Sequence, residues 1–407
     1  MKYPAYHFTV LQHREKRDNM HITNIKIKNL KTFKDVSLDL NRFNVIIGAS
    51  GCGKTNFVEI FELLKDISQN FHNAIKKHGG IYVKNLNTDE DSYLKCRFEK
   101  QNDEITLNDS GTTLDFTGLD YEIGFRIDEK STKVLNEIVR LKFNTDKSGK
   151  ENTIIIKNNN GEITAEFLND TDLNIQDIFP DILLDIVSQR FKSDNTALIN
   201  SALSSLPFEW GDLFKNIASY DFDAKSIKKI GTVKNDLKLT RHGDNLAKVL
   251  EKILADEKKD FMALYTDMLP HILDVAVENI LSENHYFTIK EDSGNAEIPA
   301  PFVSDASCTV MAMIIAFYFE NNEIILIEHP ERHIHPPMIP KLMAMMESVK
   351  DRQVIITTHS PDVLKYAEPE DIFHISRDEK GFSHIGKITD NEVIQPFVVS
   401  SELKARL

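Results

Sequence analysis

The stretch FNVIIGASGCGKTNFVEIFELLKDISQNF, residues 43–71, decides the fold of this chain. It opens with FNVIIG, a short apolar run that ends in glycine, as buried strands often do. From Phe57 onward, apolar residues recur at helical spacing. Between strand and helix lies GASGCGKT, residues 48–55, with the spacing of a phosphate-binding loop. A strand, a P-loop and a helix in this order predict a site for nucleotide phosphates.

The residues of this loop have separate expected roles. The glycines let backbone N–H groups curl around a phosphate, Lys54 neutralises phosphate charge, and Thr55 presents a hydroxyl group to Mg²⁺. The expected nucleotide-binding residues are Gly48, Ser50, Gly51, Gly53, Lys54, Thr55 and Asn56, and the expected metal-binding residues are Thr55 and Glu328.

Glu328 belongs to a second stretch, EIILIEHPERHIHP, residues 323–336. A P-loop hydrolase needs a carboxylate on a neighbouring strand to hold the water shell of Mg²⁺, and Glu328 follows four apolar residues in that position. His329 stands where a second carboxylate usually positions the attacking water. A neutral imidazole accepts a hydrogen bond but lacks the negative charge. Two interpretations stay open: His329 orients the water, or the protein holds nucleotide longer than it hydrolyses it.

The same stretch also permits a metal-site interpretation. His329, His333 and His335 lie close to Glu328 and Glu331 in sequence, and a spacing of four suits zinc on a helix. However, a proline follows His329 and no HExxH motif is present. A solvated or interface-facing histidine cluster is therefore favoured over a dedicated transition-metal site.

Composition limits the class of protein. The chain has 407 residues, of which 41% are hydrophobic and 28% charged, as in ordinary globular proteins with two or three lobes. A net charge of −14 argues against a surface uniformly attractive to nucleic acid. Three widely spaced cysteines indicate a reducing cytoplasm. The apolar run 310–319 is half the roughly 20 residues that span a bilayer, so no membrane segment is predicted.

Pattern changes along the chain predict four segments. These are an N-terminal extension (1–19), a first lobe with the P-loop and a β-meander (20–170), a mainly helical inserted arm (171–284), and a second lobe (285–407). The NNNG turn at 158–161 predicts a tight hairpin in the meander. Strand–helix alternation in the second lobe predicts a mostly parallel sheet covered by helices. The expected fold class is α/β with an antiparallel β lobe and a helical arm.

Two further stretches complete a motif set. PFVSDASCTVMAMIIAFYF (301–319) places a serine turn before an apolar helix, and QVIITTHSPDVL (353–364) ends an apolar strand at His359. With the P-loop, they resemble the ABC-type ATPases of the RecF, SMC and OLD group, particularly single-chain ATPases of bacterial anti-phage systems. The resemblance covers about residues 20–70 and 240–380, and it implies an ABC-type P-loop head that uses ATP and Mg²⁺.

The resemblance also implies roles for individual residues. The four residues Ser304, Asp305, Ala306 and Ser307 look like the signature turn, whose serine reaches the γ-phosphate held by the opposite subunit. Glu328 looks like the Walker B carboxylate, and His359 like the switch histidine. The implied catalytic set is Glu328, His329 and His359.

The family pattern also implies a partner, and this sequence departs from the pattern at two positions. The stretch PERHIHP (330–336) resembles a segment that carries the subunit-facing D-loop, and RHGDNLAKVL (241–250) is similar to a DGxNLAxxL segment of these ATPases. Two heads are expected to enclose two nucleotides, which implies a dimer. Ala306 replaces the signature glycine, a change that impedes close approach of backbone to phosphate. His329 replaces the catalytic glutamate.

A basic segment lies in the predicted arm. Residues 225–241 carry Lys225, Lys228, Lys229, Lys234, Lys238 and Arg241 against one acid, Asp236. On an acidic protein this is a candidate face for a phosphate backbone or for a protein partner. A solvated face is the simpler interpretation, because no aromatic residues for base stacking are interleaved.

Three functions follow from these observations. The leading one is a cytoplasmic, ATP-binding, slowly hydrolysing and dimerising switch or scaffold that controls a separately encoded effector, expected to be a nuclease, in anti-phage defence. The separate effector is expected because the sequence ends at 407 without room for a Toprim nuclease after the His359 strand. The alternatives are an ATPase acting directly on DNA in repair or recombination, and a metal-dependent hydrolase built on the histidine cluster.

Overall fold

The computed structural model describes residues 20–99, 104–107, 112–129, 131–145, 151–168, 197–201, 204, 210–229, 231–232, 238–280, 284–294 and 296–388. The predicted N-terminal extension 1–19 and residues 171–196 of the predicted arm lie outside the described residues.

An antiparallel sheet forms the first layer. Its strands are β1 (His21–Leu30), β2 (Phe33–Asp39), β4 (Ser92–Glu99), β5 (Glu104–Leu107), β6 (Thr112–Ile127), β7 (Thr132–Thr145), β8 (Glu151–Asn159) and β9 (Glu162–Leu168). Their order is β2-β1-β4-β6-β7-β8-β9, with β5 paired to β6. At the β8–β9 turn, Asn160 and Gly161 have φ angles of 53° and 94°. Since a tight hairpin turn requires positive φ at both positions, the predicted hairpin is confirmed.

A second sheet lies at the centre of the molecule. In spatial order its strands are β10 (Ile217–Tyr220), β15 (Ile324–Glu328), β16 (Gln353–Thr358), β3 (Phe43–Ile47), β17 (Ile372–Arg377) and β18 (Ser383–Lys387). Every neighbouring pair is parallel except β17 and β18. Strands buried on both faces are nearly continuous apolar runs, which explains FNVII and IILI.

A smaller sheet and several helices complete the described structure. The sheet contains β11 (Gly231–Thr232), β12 (Ile272–Ile280), β13 (Asn284–Glu291) and β14 (Glu297–Pro299). The α-helices are α1 (Lys54–Gln69), α2 (Phe71–Lys77), α3 (Ala224–Ile227), α4 (Leu246–Met268), α5 (Asp305–Ile314), α6 (Ile339–Ser348) and α7 (Pro361–Leu364). A π-helical turn, Ile315–Phe319, extends α5. The 3₁₀ turns are Gly80–Val83, Leu198–Asn200, Trp210–Phe214, Ala300–Phe302, Pro336–Met338 and Pro369–Asp371.

Residues 171–284, predicted to be a mainly helical arm, contain strands beside their helices in the described part. Strand β10 pairs in parallel with β15 in the central sheet, and β12 pairs with β13. Helix α4 is the one long helix of the segment in the described residues, and it kinks at Glu257. Helical spacing in the sequence was real at α4, but the short strand β10 has too few residues for its period to stand out.

The two faces of the central sheet bury two apolar cores. Side chains such as Ile46 and Ile355 face the antiparallel sheet and α1, whereas Val45 and Ile356 face α4, α5 and α6. This alternation follows from the two-residue period of a strand. Helix α1 therefore lies between the two large sheets. The predicted α/β class, with a mostly parallel sheet and an antiparallel β lobe, is confirmed.

Buried Gln353 links the two large sheets. Its Nε2 donates to the Ile22 and Asn41 carbonyl oxygens (2.7 and 2.8 Å), and its Oε1 accepts from the Ile22 backbone N–H (3.0 Å). Gln353 itself has no exposed surface. Because the backbone groups of Ile22 are buried, the amide of Gln353 satisfies groups that would otherwise lack partners.

No described helix combines the length and the apolar character needed to cross a membrane.

Replacing Gln353 tests this link. Gln353→Ala leaves buried donors and acceptors unsatisfied, so we expect a loss of about 2–3 kcal/mol in the free energy of unfolding. Urea unfolding followed by circular dichroism measures it. The control, Gln69→Ala, changes an exposed residue at the end of α1. Equal stability of the two variants would contradict the role given to Gln353.

A buried carboxyl group on β7 gives the fold a pH dependence. Glu137 accepts hydrogen bonds from the Tyr121 hydroxyl (2.7 Å) and from the backbone N–H groups of Leu198 and Ile199. Burial raises the pKa of Glu137 to about 7 from an ordinary 4.5. Between these two values the folded state binds more protons than the unfolded state, so Glu137 makes stability fall as pH rises through that range.

Glu137→Gln should remove this contribution. We expect the unfolding free energy of the wild type to fall more steeply between pH 4.5 and 7 than that of the variant. Chemical unfolding across this range measures both slopes, with Glu162→Gln, an exposed change on β9, as the control. Identical slopes in wild type and Glu137→Gln would refute the prediction.

Candidate active site

Strand pairing places the predicted motifs at one edge of the central sheet. Thr358 of β16 pairs with Ile47 of β3, and Thr357 pairs with Glu328 of β15. The residues that follow these pairs, Gly48 and His359, therefore leave the sheet side by side. Because the three strands are parallel, their carboxyl ends meet at this edge, where open α/β sheets bind ligands.

Backbone conformation explains the glycines of the P-loop. Gly51 and Gly53 have φ angles of 77° and 111°, which residues with a side chain adopt only with strain. A Cβ atom at Gly48 would overlap the carbonyl oxygen of Ile375 on β17. The loop thus has room only for glycine at Gly48, and it turns directly into α1 after Gly53.

Side chains from outside the motif hold the loop from one side. Ser383 Oγ lies 2.7 Å from the Cys52 carbonyl oxygen and 2.6 Å from Thr32 Oγ1. Asn56 Nδ2 donates to the same Thr32 oxygen (3.0 Å), and Arg377 donates to the Gly51 carbonyl (3.4 Å). Asn56, expected among the nucleotide-binding residues, thus anchors the start of α1.

Lys54 lies inside the loop, 5% exposed. Its ammonium group donates to the carbonyl oxygens of Gly48 (2.8 Å) and Ala49 (2.9 Å), and lies 3.1 Å from Nδ1 of His359. Burial lowers the pKa of Lys54, while Cys52 and Glu328 oppose the shift. The lysine charge is concentrated beside the backbone that would surround phosphate.

Glu328 contacts the P-loop directly. Thr55 Oγ1 donates to Glu328 Oε2 at 2.7 Å, and the Glu328 side chain is 4% exposed. A hydroxyl oxygen and a carboxylate oxygen in contact are the oxygen ligands that Mg²⁺ takes in P-loop enzymes, where one or two protein ligands suffice beside phosphate and water. The pair therefore fits a magnesium site.

Arg241 occupies the other oxygen of this carboxylate. Its guanidinium group donates to Glu328 Oε1 (2.5 Å) and to both carboxylate oxygens of Glu62 on α1 (2.7 Å each). Burial alone would lower the pKa of Arg241, but the two carboxylates raise this pKa above its ordinary value. The arginine therefore fixes the Glu328 carboxylate against α1.

Two imidazole rings stack next to the P-loop. The rings of His329 and His359 lie 4.6 Å apart between centroids, with an interplanar angle of 13°. Nδ1 of His359 lies 2.8 Å from the Gly48 carbonyl oxygen, and burial, followed by the Lys54 charge, lowers the pKa of His359. A neutral His359 is thereby favoured, and its ring holds His329 close to the lysine end of the loop.

The backbone of His329 is in the left-handed region, with φ of 51°. For a residue with a side chain this costs about 1–2 kcal/mol. The hydrogen bond from the His329 N–H to the Thr357 carbonyl (2.8 Å) helps to hold it. Strain of this kind concentrates at functional sites, where the surrounding structure imposes it.

Glu331 lies behind His329. One of its oxygens, Oε1, accepts from the Thr358 hydroxyl (2.7 Å) and lies 3.7 Å from Nδ1 of His329. The other, Oε2, is buried without a hydrogen-bond partner among the described residues. Burial alone would raise the pKa of Glu331, but His329 and Thr358 outweigh it and lower the pKa. The carboxylate is thus held in its charged form beside the two rings.

The signature-like turn caps α5 and remains accessible. Ser304, an exposed residue, accepts a hydrogen bond from the Ser307 N–H (3.0 Å). Asp305 forms an ion pair with Lys228, and the hydrogen bond from Lys228 lowers the pKa of Asp305. His333 Nδ1 lies 3.7 Å from Asp305. Ser50 is exposed on the P-loop, and no described contact joins it to the turn of the same chain.

The histidine cluster does not gather as a metal site. His329 faces His359, whereas His333 faces Asp305. Within the described residues, no three or more His, Cys, Asp or Glu side chains converge in a way that could hold a metal ion. The geometry thus gives no support to the transition-metal alternative.

Part of the basic segment serves the site itself. Lys228 pairs with Asp305, and Arg241 pairs with Glu62 and Glu328. Lys225 and Lys229 are exposed, while Lys234 lies outside the described residues. Because two of the six charges are used internally, the segment is a weaker candidate for binding nucleic acid than its composition indicates.

Sequence reasoning missed four contributors to the site: Glu62, Arg241, Glu331 as a partner of His329, and Ser383. Glu62 lies seven residues after Thr55, two helical turns further along the same face of α1, so its spacing carried a usable signal. Arg241 begins the RHGDNLAKVL stretch, but its charge was counted with the basic segment. Ser383 has no local pattern that points to the P-loop.

A P-loop, a carboxylate on a neighbouring strand that accepts from the P-loop threonine, and a histidine at the end of the intervening strand define an ABC-type P-loop ATPase fold. A family model described as "AAA domain, putative AbiEii toxin, Type IV TA system" matches residues 43–365, and the protein belongs to this family. Comparison with curated protein sequences gave no match.

Solved structures of SMC heads are similar to this chain. The SMC head domain from Thermotoga maritima is 11% identical, with 91% of this chain and 100% of that chain covered and a TM-score of 0.41. The Smc head domain with an extended coiled coil bound to the C-terminal domain of ScpA, derived from Pyrococcus furiosus, is 14% identical, with coverages of 93% and 98% and a TM-score of 0.46. An SmcHead bound to the C-winged helix domain of ScpA is 16% identical, with coverages of 92% and 99% and a TM-score of 0.44.

Removing Arg241 should destabilise the site. Arg241→Ala leaves Glu62 and Glu328 without their shared counter-charge, and since the Arg241 side chain is 26% exposed, we expect a loss of about 1–3 kcal/mol. Urea unfolding measures it. The matched control is Arg126→Ala, which breaks an ion pair with Asp91 whose side chains are 56% and 37% exposed. An equal loss in both variants would show that Arg241 is an ordinary surface partner.

Proposed function

We propose that this protein binds ATP with Mg²⁺, closes on a second copy of itself, and thereby acts as a slowly hydrolysing switch for a separate effector protein. The observation that carries the proposal is the contact of Thr55 with Glu328, next to Lys54 and His359 at one sheet edge. Lys54 would neutralise the charge of a nucleoside triphosphate, and Thr55 and Glu328 would hold its metal ion.

Magnesium would be held by Thr55 and Glu328, and it would neutralise charge on the phosphates. Arg241 keeps the carboxylate in place from the opposite side. The remaining contribution comes from the loop backbone, which presents N–H groups at the start of α1. The fit of these residues supports ATP and Mg²⁺ as the ligands.

Self-association is supported by the signature-like turn. Ser304 is exposed at the start of α5, and the family resemblance gives this serine the γ-phosphate of an opposite subunit. A site completed by a second copy would couple nucleotide binding to assembly, since each ligand would favour the closed pair over free heads.

Slow hydrolysis is supported by His329 at the position of the catalytic glutamate. An imidazole that accepts a hydrogen bond orients water less strongly than a carboxylate, so the closed state would last longer. A long-lived closed state suits a switch. The effector role and anti-phage defence are the finer part of the proposal, and the family description, which names a toxin of a TA system, is compatible with them.

Lys54→Ala tests nucleotide binding. Because the lysine loses charge-assisted hydrogen bonds to phosphate, we expect ATP affinity to fall about 10- to 100-fold. Isothermal titration with ATP and Mg²⁺ measures affinity, and sedimentation velocity measures assembly. Unchanged binding and assembly in the variant would overturn the proposal.

Ser304→Asp separates assembly from binding. Aspartate caps a helix as well as serine does, so α5 is retained, but its charge would repel the phosphate of a second copy. We expect ATP affinity within about 3-fold of wild type and loss of ATP-dependent dimers. Ser304→Asn, a neutral cap of the same shape, is the control, expected to assemble better than Ser304→Asp. Normal dimers in Ser304→Asp would refute a composite site.

Purification of the native complex tests the partner. Co-elution with the product of a neighbouring gene supports an effector, and a nuclease activity in that fraction identifies its class. Salt-sensitive co-elution with DNA, lost on charge reversal at exposed Lys225 and Lys229, would instead favour direct action on DNA.

A further inference from the structure

We infer that Glu331 is a positioning residue that acts through His329, so that a His–Glu pair performs the water-orienting task that a single glutamate performs in relatives of this fold. The inference rests on the proposed binding of ATP. Glu331, two residues beyond His329, supplies the carboxylate that position 329 lacks.

The first step is the location of His329. Its ring stacks on His359, whose Nδ1 lies 2.8 Å from the Gly48 carbonyl oxygen and 3.1 Å from Lys54 Nζ. Lys54 is the residue that a P-loop aims at the β- and γ-phosphates. The His329 ring is therefore held at the end of the loop where an attacking water would approach the γ-phosphate.

The second step is the orientation of that ring. Nδ1 of His329 faces Oε1 of Glu331 at 3.7 Å, and a carboxylate at this nitrogen favours the tautomer with the proton on Nδ1. Nε2 then carries the free lone pair and can accept a hydrogen bond from water. The distance exceeds that of a hydrogen bond, and contacts of this kind tighten when substrate is bound.

The third step is the support of Glu331 itself. The Thr358 hydroxyl donates to its Oε1, and its Oε2 is buried without a partner in the described part of the chain. A buried carboxylate oxygen without a donor is unfavourable, and such groups persist where function requires them. Thr358 immediately precedes His359, so one strand end holds both rings and the carboxylate.

The left-handed backbone of His329 turns the chain so that this contact forms. With φ of 51° at His329, the following Pro330 redirects the backbone, and Glu331 returns toward β16. A glutamate placed at 329 would need no such partner, because it carries its own charge.

The reaction needs no change of charge on His329. The water oxygen bonds to the γ-phosphorus as the bond to the β,γ-bridging oxygen breaks, and ADP leaves with that electron pair. Of the two water protons, one stays on the phosphate product and the other passes to solvent. His329 only accepts the hydrogen bond that orients the water, as water-positioning residues do in other P-loop enzymes.

Four variants of the full-length protein form the test: Glu331→Gln, His329→Glu, the double variant carrying both, and His329→Ala. We expect Glu331→Gln to lower kcat about 10- to 100-fold with ATP affinity within about 2-fold, because only orientation is lost. In the His329→Glu background the same change should alter kcat less than about 2-fold, since no imidazole remains to be oriented. Phosphate release gives kcat and titration calorimetry gives affinity.

Thr358→Val provides a second route to the same result. It removes the hydroxyl that holds Glu331, so we expect a smaller fall in kcat that also disappears in the His329→Glu background. Melting temperatures of all variants report any loss of folding. If Glu331→Gln does not fold, the Thr358→Val pair carries the test.

Three outcomes would overturn the inference. Equal losses from Glu331→Gln in both backgrounds would show a purely structural role, full activity in His329→Ala would remove the histidine from the reaction, and wild-type protein that binds ATP without hydrolysing it would leave no water to orient. Each leaves the ATP-binding proposal intact. Failure of the wild type to bind ATP is the distinct result that overturns the proposed function itself.

Discussion

The hydrogen bonding of β16 to β3 and β15 is the constraint on which the site depends. It brings together three strands that lie far apart in sequence, with Thr358 opposite Ile47 and Thr357 opposite Glu328. A slip of one residue in either pairing would turn the next side chains to the other face of the sheet. The contact of His359 with Gly48 and the contact of Glu328 with Thr55 both depend on this register, and apolar cores on both faces of the sheet maintain it.

The parts of the site that lie within one continuous stretch of sequence were predictable from local patterns. The P-loop spacing, the apolar run before Glu328 and the strand before His359 are short, periodic and flanked by recognisable elements. The hairpin turn at Asn160 and Gly161 was predictable for the same reason. The contacts that connect these parts were not predictable. Arg241 contacts Glu62 and Glu328, which lie 179 and 87 residues away in sequence, and Ser383 contacts Cys52, which lies 331 residues away. Contacts at such separations leave no period or spacing to detect.

The predicted helical arm shows a complementary limit, because short strands lie beside its long helix. Helix α4 has a clear apolar period. Strand β10 has four residues, and it is defined by pairing with β15 rather than by a pattern of its own. The same limit affected the basic segment, since charges counted along the chain give no indication of which ones have a carboxylate opposite them. Lys228 and Arg241 were indistinguishable in sequence from the exposed Lys225 and Lys229.

The internal ion pairs of Lys228 and Arg241 show that part of the basic segment supports the site rather than an outer face. Lys228 holds Asp305 at the start of α5, and Arg241 holds Glu328 at the end of β15. One stretch of chain thus touches both the carboxylate expected to meet magnesium and the turn expected to meet a second copy. A partly buried ion pair is sensitive to any new charge beside it, because it is less screened than a pair in solvent. A metal at Glu328 would share this carboxylate with Arg241, so the ion pair and the metal would compete for the same negative charge.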